Sequence, residues 1–208
     1  MAGTLLVALV PLFVIVDPLA SLGLYLGLTG GRSRRARVVI AAKASAFAAA
    51  VLLVFAAIGK GFLGAMGIEL YSLQAAGGLL LVMIGLRMLR EGREIPQRDI
   101  RLPTGGAHDP DDPAGDPSFV PLGVPMLAGP GAISLVIVQT TEFGLPSVAA
   151  AIALVLVGAF VVLLTAVPVQ RYLGDTGSRV ITRIMGILTV AFAAQYVFDG
   201  ITGWRATL

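Results

Sequence analysis

The stretch PLFVIVDPLASLGLYLGLTG, Pro11 to Gly30, is apolar enough to cross a bilayer, yet Asp17 and Pro18 stand near its middle. Proline has no amide hydrogen and disfavours helical geometry in the residue before it. A carboxylate at mid-membrane costs at least about 2.5–3.5 kcal/mol unless paired or hydrated. Together they predict a broken membrane helix: one short helix ends near Val16, and another begins with Asp17 as N-cap and Pro18 at its first position. Backbone groups freed by such a break persist in hydrocarbon only when buried in protein or facing a polar cavity.

The rest of the chain is a setting for such a helix. Of its 208 residues, 57% are hydrophobic and 13% charged, about half the charged share of a soluble domain, and the mean hydropathy is +0.91. Several apolar runs reach the roughly 20 residues that cross hydrocarbon, so the sequence predicts an all-α integral membrane protein. Cysteine is absent, which removes disulfides, thiol chemistry and cysteine metal sites. The lone histidine, His108, falls in a hydrophilic stretch and reads as solvated. The pI near 9.7 comes from clustered arginines of the kind that mark cytoplasmic loops, not from a nucleic-acid surface. MAGTLLVALVPLF lacks the basic start of a cleavable signal, so the first segment is expected to remain as a membrane helix.

Six spans are expected, about Thr4–Leu28, Val38–Phe62, Tyr71–Leu89, Phe119–Thr140, Val148–Val169 and Val180–Gly203. Arg32, Arg34, Arg35 and Arg37 follow the first, Arg87 to Arg101 follow the third, and Arg171, Arg179 and Arg183 precede the last. Lys60 and Arg205 lie on the opposite side, which places both termini outside the cytoplasm. Tyr71 and Trp204 fit as outer interfacial anchors, and Lys43, inside the second span, reads as snorkelling. Residues 91–118, rich in Pro, Gly and Asp, are expected to form a flexible cytoplasmic loop between two three-helix repeats, 1–90 and 119–208. Its HDPDDPAGD run lacks the spacing and terminal Glu of a calcium loop.

The two repeats echo each other. VDPLASLGLYL (Val16–Leu26) aligned with AGPGAISLVIV (Ala128–Val138) superposes Pro18 on Pro130 and Ala20 on Ala132. AAGGLLLVMIG (Ala75–Gly85) aligned with RIMGILTVAFA (Arg183–Ala193) matches Gly78 to Gly186 and Val82 to Val190. Three spans per repeat force the second to cross in the opposite sense. Inverted repeats are common in secondary transporters, whose sites lie at the midplane on broken helices. Here LAGPGA supplies the second break, with Gly129 as cap, Pro130 at the first helical position and Gly131 open to close approach by a ligand. Half-helix ends favour carboxylates at one pole and ammonium groups at the other, so two facing breaks suit a small zwitterion. Ser21 and Ser134 follow the breaks and either face the cavity or satisfy their own helix carbonyls. Gln195 and Asp199, one turn apart, share a helix face, while Gly77 and Gly78 read as tight-packing positions.

FVIVDPLAS, LQAAGGLLLVMIGLRML, VPLGVPMLAGPGAISLVIV and ITRIMGILTVAFAAQYVFDGI together resemble the MarC family of bacterial and archaeal inner-membrane proteins along nearly the whole chain. The chain departs from the family's usual pattern at Ala20-Ser21, where Gly-Asn is frequent, and at Gln74, where Arg is common. The resemblance implies six membrane helices in inverted repeats, with the first and fourth broken. It also implies a site at Asp17, Pro18, Leu19 and Ala20 with Gly129, Pro130, Gly131 and Ala132, and for some relatives the transport of small neutral amino acids such as glycine and alanine. Expected partners are a small zwitterionic solute, the bilayer and a second copy of the chain, with no nucleic acid. No cofactor is expected beyond coupling to a proton or sodium. The interior lacks a His–Glu metal set and a Ser–His or Asp–Asp pair, so an enzyme is not expected. An exporter of other small metabolites or drugs, or a non-transporting scaffold, are the alternative readings.

Overall fold

Apolar runs punctuated by Pro, Gly and Ser cut this chain into helices at the places where the backbone ladder fails. A computed structural model describes residues 2–91 and 118–207; the expected cytoplasmic loop, with His108 and the HDPDDPAGD run, lies outside the described residues. The helices are α1 (Ala2–Val16), α2 (Ser21–Thr29), α3 (Arg34–Ala65), α4 (Leu70–Glu91), a π-helical segment (Ser118–Leu127), α5 (Pro130–Phe143), α6 (Leu145–Leu164) and α7 (Ala166–Arg205). No strand occurs among the described residues.

Local chemistry accounts for the boundaries. The Ser33 hydroxyl accepts the Ala36 amide at 3.3 Å and starts α3. Gly67, at φ +70°, closes α3 in the left-handed conformation while the Ile68 amide reaches back to the Leu63 carbonyl at 2.9 Å. The expected fifth span stops at Leu164 instead of Val169. The reason is Pro168, which has no amide to offer the Leu164 carbonyl. α7 then runs from Ala166 with a break at Gly174 (φ 59°, ψ −174°).

Among the described residues four helices are long and apolar enough to cross a membrane: Arg34–Ala65, Leu70–Arg90, Leu145–Leu164 and Thr176–Arg205. A fifth candidate is the pair Leu5–Val16 and Ser21–Thr29, bent by 51° at the Asp17-Pro18 break. The expected fourth span, Phe119–Thr140, is not one helix. It divides between the π-helical segment and α5, with the Ala128 amide bonded to the Gly123 carbonyl five residues back at 3.0 Å. Pro125 removes an amide from an ordinary ladder there, and wide π turns are one way a helix absorbs such a fault.

α3 packs on α6, α1 on α6 and α5, the π-helical segment and α5 on α3, and α4 along α7. Ala41, Ala44, Ala48, Leu52, Ala56, Ile152, Val155 and Ala159 fill the α3–α6 core. Outward, Leu6, Ile58, Phe62, Leu79, Met83, Val157, Ile187 and Phe198 are exposed, a surface suited to lipid and not to water. Gln139 ties α5 to α1, its Nε2 donating to the Ala8 carbonyl at 3.0 Å, and the Tyr25 hydroxyl donates to the Arg37 carbonyl at 2.9 Å.

Main chain meets main chain between antiparallel α4 and α7. A Cβ on Gly78 would stand 2.9 Å from the Ala193 carbonyl, and one on Gly85 would stand 3.0 Å from the Gly186 carbonyl. Gly200 meets the Tyr71 carbonyl at 2.8 Å in the same way. Gly77 faces Ser134 of α5 instead. Gly85→Val and Gly186→Val should each force this seam apart at a cost of about 1–3 kcal/mol, read as a lower thermal midpoint in detergent. Gly158→Ala, where a Cβ meets nothing within 4 Å, should raise the midpoint by restoring helix propensity.

Candidate functional site

Asp17 is the one non-glycine residue with positive φ among the described residues, at +40°. Its amide still donates to the Phe13 carbonyl at 3.0 Å, so the α1 ladder runs up to it. Pro18 then offers no amide and pushes Asp17 out of right-handed geometry. Aspartate tolerates the left-handed basin better than most residues because its short side chain can bond locally. Oδ1 does so, accepting the Ala20 amide at 3.1 Å. The Asp17 carbonyl takes the Ser21 amide at 3.3 Å and the Ser21 hydroxyl at 3.1 Å.

Asp17 therefore makes the capping bond that the sequence suggests, but the regular helix begins later than expected. α2 starts at Ser21, and residues 18–20 form a turn closed by the Leu22 amide on the Leu19 carbonyl at 3.2 Å. The left-handed twist at Asp17 uses up these three residues in bending the chain by 51° before a helix resumes. In the other break Gly129 is extended (φ −78°, ψ 169°), Pro130 occupies the first turn, and the Ile133 amide makes the first helical bond to the Gly129 carbonyl at 3.0 Å. The Gly131 and Ala132 amides thus belong to the set that no carbonyl of their own helix reaches.

These two breaks share one small cavity. Its volume is about 30 Å³, on the scale of one water molecule and far below a pocket for an organic solute. Ile15 and Asp17 form one wall, Met126, Gly129, Gly131 and Ala132 another, and Leu81, Ile84, Met88 and Thr189 the rest. Asp17 is 2% exposed, and its Oδ2 accepts no hydrogen bond from the described residues. Among the described residues no three His, Cys, Asp or Glu side chains are grouped to hold a metal.

Of the residues singled out in the sequence, the cavity brings together Asp17, Gly129, Gly131 and Ala132. Pro18, Leu19, Ala20 and Pro130 belong to the breaks but not to the cavity wall. Ser21 turns back to its own helix carbonyl, and Ser134 donates to the Leu73 carbonyl of α4 at 3.2 Å, so neither hydroxyl lines the space. Gly131 was expected to admit a ligand; the atoms occupying its missing Cβ position are those of Leu81, with Cγ 2.9 Å from it. Gln195 and Asp199 do share a face, joined at 2.8 Å. Thr189 is the polar wall residue that sequence reasoning passed over. Its signal lay in the alignment of 75–85 with 183–193, which sets this hydroxyl against Leu81 in an otherwise apolar run.

The long apolar helices, the apolar outer surface and a buried carboxylate at a helix break define a multi-pass helical membrane protein. A family profile described as MarC family integral membrane protein matches residues 3–205. The chain belongs to that family. It is 34% identical over 198 residues to a UPF0056 membrane protein of Methanocaldococcus jannaschii, covering 92% of this chain and 93% of the relative. It is 34% identical to a UPF0056 membrane protein of Aquifex aeolicus, covering 93% and 90%. To the UPF0056 inner membrane protein MarC of Citrobacter koseri it is 30% identical, covering 96% and 93%. No solved structure matches the chain.

Asp17→Gly and Asp17→Ala both remove the carboxylate and the bond to the Ala20 amide, yet only glycine accepts φ +40° freely. The glycine variant should be the more stable of the two by about 1 kcal/mol, measured as the difference in thermal midpoint of the purified proteins.

Proposed function

We propose that this protein is a secondary transporter of small neutral amino acids of the glycine and alanine type, working through the cavity between the two helix breaks. One observation carries the reading: Asp17 and the first turn of α5 line the same buried space. A helix N-terminus favours a carboxylate, and the opposing carbonyl ends and Asp17 supply the polar complement for the other end of a zwitterion. At about 30 Å³ the cavity is closed to such a solute, so transport involves a wider state in which Leu81 and its neighbours withdraw from Gly131.

The architecture that goes with this reading has six spans. The bent pair α1–α2 is the first, and the π-helical segment with α5 is the fourth. The two halves are an inverted repeat, and the α4–α7 seam supports it. Gly186 follows Gly78 by 108 positions, and Ala193 follows Gly85 by the same 108. The contacts are Gly78 with Ala193 and Gly85 with Gly186, so exchanging the halves converts one contact into the other. Leu81 and Thr189, also 108 apart, both face the cavity, as do Asp17 and Gly129, equivalent when Pro18 is set on Pro130. The cavity then lies where the two-fold axis crosses the bundle. The arginine distribution puts both termini outside the cytoplasm, and the inner-membrane relatives place the protein in the cytoplasmic membrane. Its action is binding and movement, without covalent catalysis.

Protein reconstituted in liposomes should take up radiolabelled alanine saturably, with glycine competing. Asp17→Asn and Leu81→Phe, the second filling the cavity, should each lower the flux at least tenfold while leaving the detergent-solubilised protein monodisperse. Unaltered flux in both variants would remove the cavity from the transport path.

A further inference from the structure

We infer that the Asp17 cavity is a proton site, and that on the transport reading it ties one proton, not sodium, to each solute carboxylate. The ligands decide between the two ions. A hard metal cation collects several oxygens around itself, six or more for calcium and magnesium. This wall offers few: Asp17 Oδ2, the Thr189 hydroxyl and main-chain carbonyls, of which Gly129 is already engaged by the Ile133 amide. Ile15, Leu81, Ile84, Met88 and Met126 supply the remainder. The α5 N-terminus also presents its positive end to the same space, which opposes a cation. A proton needs a single oxygen, and Oδ2 is an oxygen that no group of the described residues satisfies.

The same wall explains how proton and solute become linked. Among the described residues no other titratable side chain lines the cavity, whether from α1, α4, the π-helical segment, α5 or α7. The one group that favours an ionised Asp17 from across the cavity is therefore the first turn of α5, with the amides of Gly131 and Ala132. Those amides are also where a solute carboxylate would dock. Once it does, two carboxylates share a space of low polarity, and two such charges do not both persist there. Asp17 then takes a proton on Oδ2 and becomes neutral, its new O–H donating to water or to the Thr189 hydroxyl. Release of the solute removes the competing charge, and the proton leaves.

Two measurements test this separately from transport itself. In infrared difference spectra between acid and alkaline pH, the purified protein should show a protonated-carboxyl band that Asp17→Asn abolishes. Thr189→Val should shift that band by removing a hydrogen-bond partner, and added sodium should leave it in place. In weakly buffered solution, alanine binding should draw in about one proton per protein, and none in Asp17→Asn. A band that never titrates, that sodium removes, or alanine binding without proton uptake would overturn the proton site while leaving the transport reading standing. Absence of alanine binding and flux alongside a titrating Asp17 band would overturn the transport reading, and with it the coupling, but would uphold the proton site.

Discussion

A backbone amide freed in hydrocarbon has to be answered by the protein, because lipid offers no hydrogen bond. At the α1–α2 break Asp17 answers it. One residue ends the α1 ladder through its amide, holds the Ala20 amide through Oδ1 and starts the next ladder through its carbonyl. The cost is a left-handed backbone and a buried carboxylate with one oxygen that no described residue satisfies. Proline forces the first of these; the second is a separate choice. Asparagine would make the same local bond, so the break by itself does not require a charge. Aspartate at this position brings the capacity to change charge, which the fold does not use.

The cavity owes its position to packing elsewhere. α4 and α7 approach until main chain meets main chain at Gly78, Gly85, Gly186 and Gly200. Small residues at such seams are the usual route to close helix association in membranes, where dispersion contacts replace the hydrophobic effect. That approach brings Leu81 and Thr189 to one end of the space between the breaks. A larger residue in the seam would move those two side chains apart as well as the helices. Stability and site geometry are linked here through one interface.

Much of this was legible in the sequence. Runs of apolar residues placed α3, α4, α6 and the membrane part of α7 to within a few residues, because length and hydropathy dominate where a helix spans lipid. Both breaks were marked by Asp17-Pro18 and Gly129-Pro130, whose backbone chemistry is local. The start of α2 was not legible: a left-handed Asp17 depends on how the chain must turn, which tertiary packing decides. The end of α6 was readable in Pro168 but hidden inside a continuous apolar run. Gly131 was legible only in part, for a related reason. A glycine signals close approach without naming what approaches, and in this structure it is Leu81. Ser21 and Ser134 were ambiguous between cavity and carbonyl, and both chose carbonyls, one within its helix and one across to α4.

The difference between the two breaks carries more meaning than their likeness. If the halves descend from one unit, the positions of Asp17 and Gly129 began with the same residue, and symmetry alone would keep them alike. Instead one holds a carboxylate and the other has no side chain at all. Two carboxylates facing across a cavity this small would repel, and two glycines would leave the space without charge. An acid opposite a bare helix terminus puts one group able to change charge beside one set of amides that its own helix leaves unbonded. The same difference gives the cavity a polarity along the axis joining the breaks. At one end stand Gly129, Gly131 and Ala132 of the second break and at the other Asp17 of the first, with Ile84, Met88 and Met126 as apolar wall beside them.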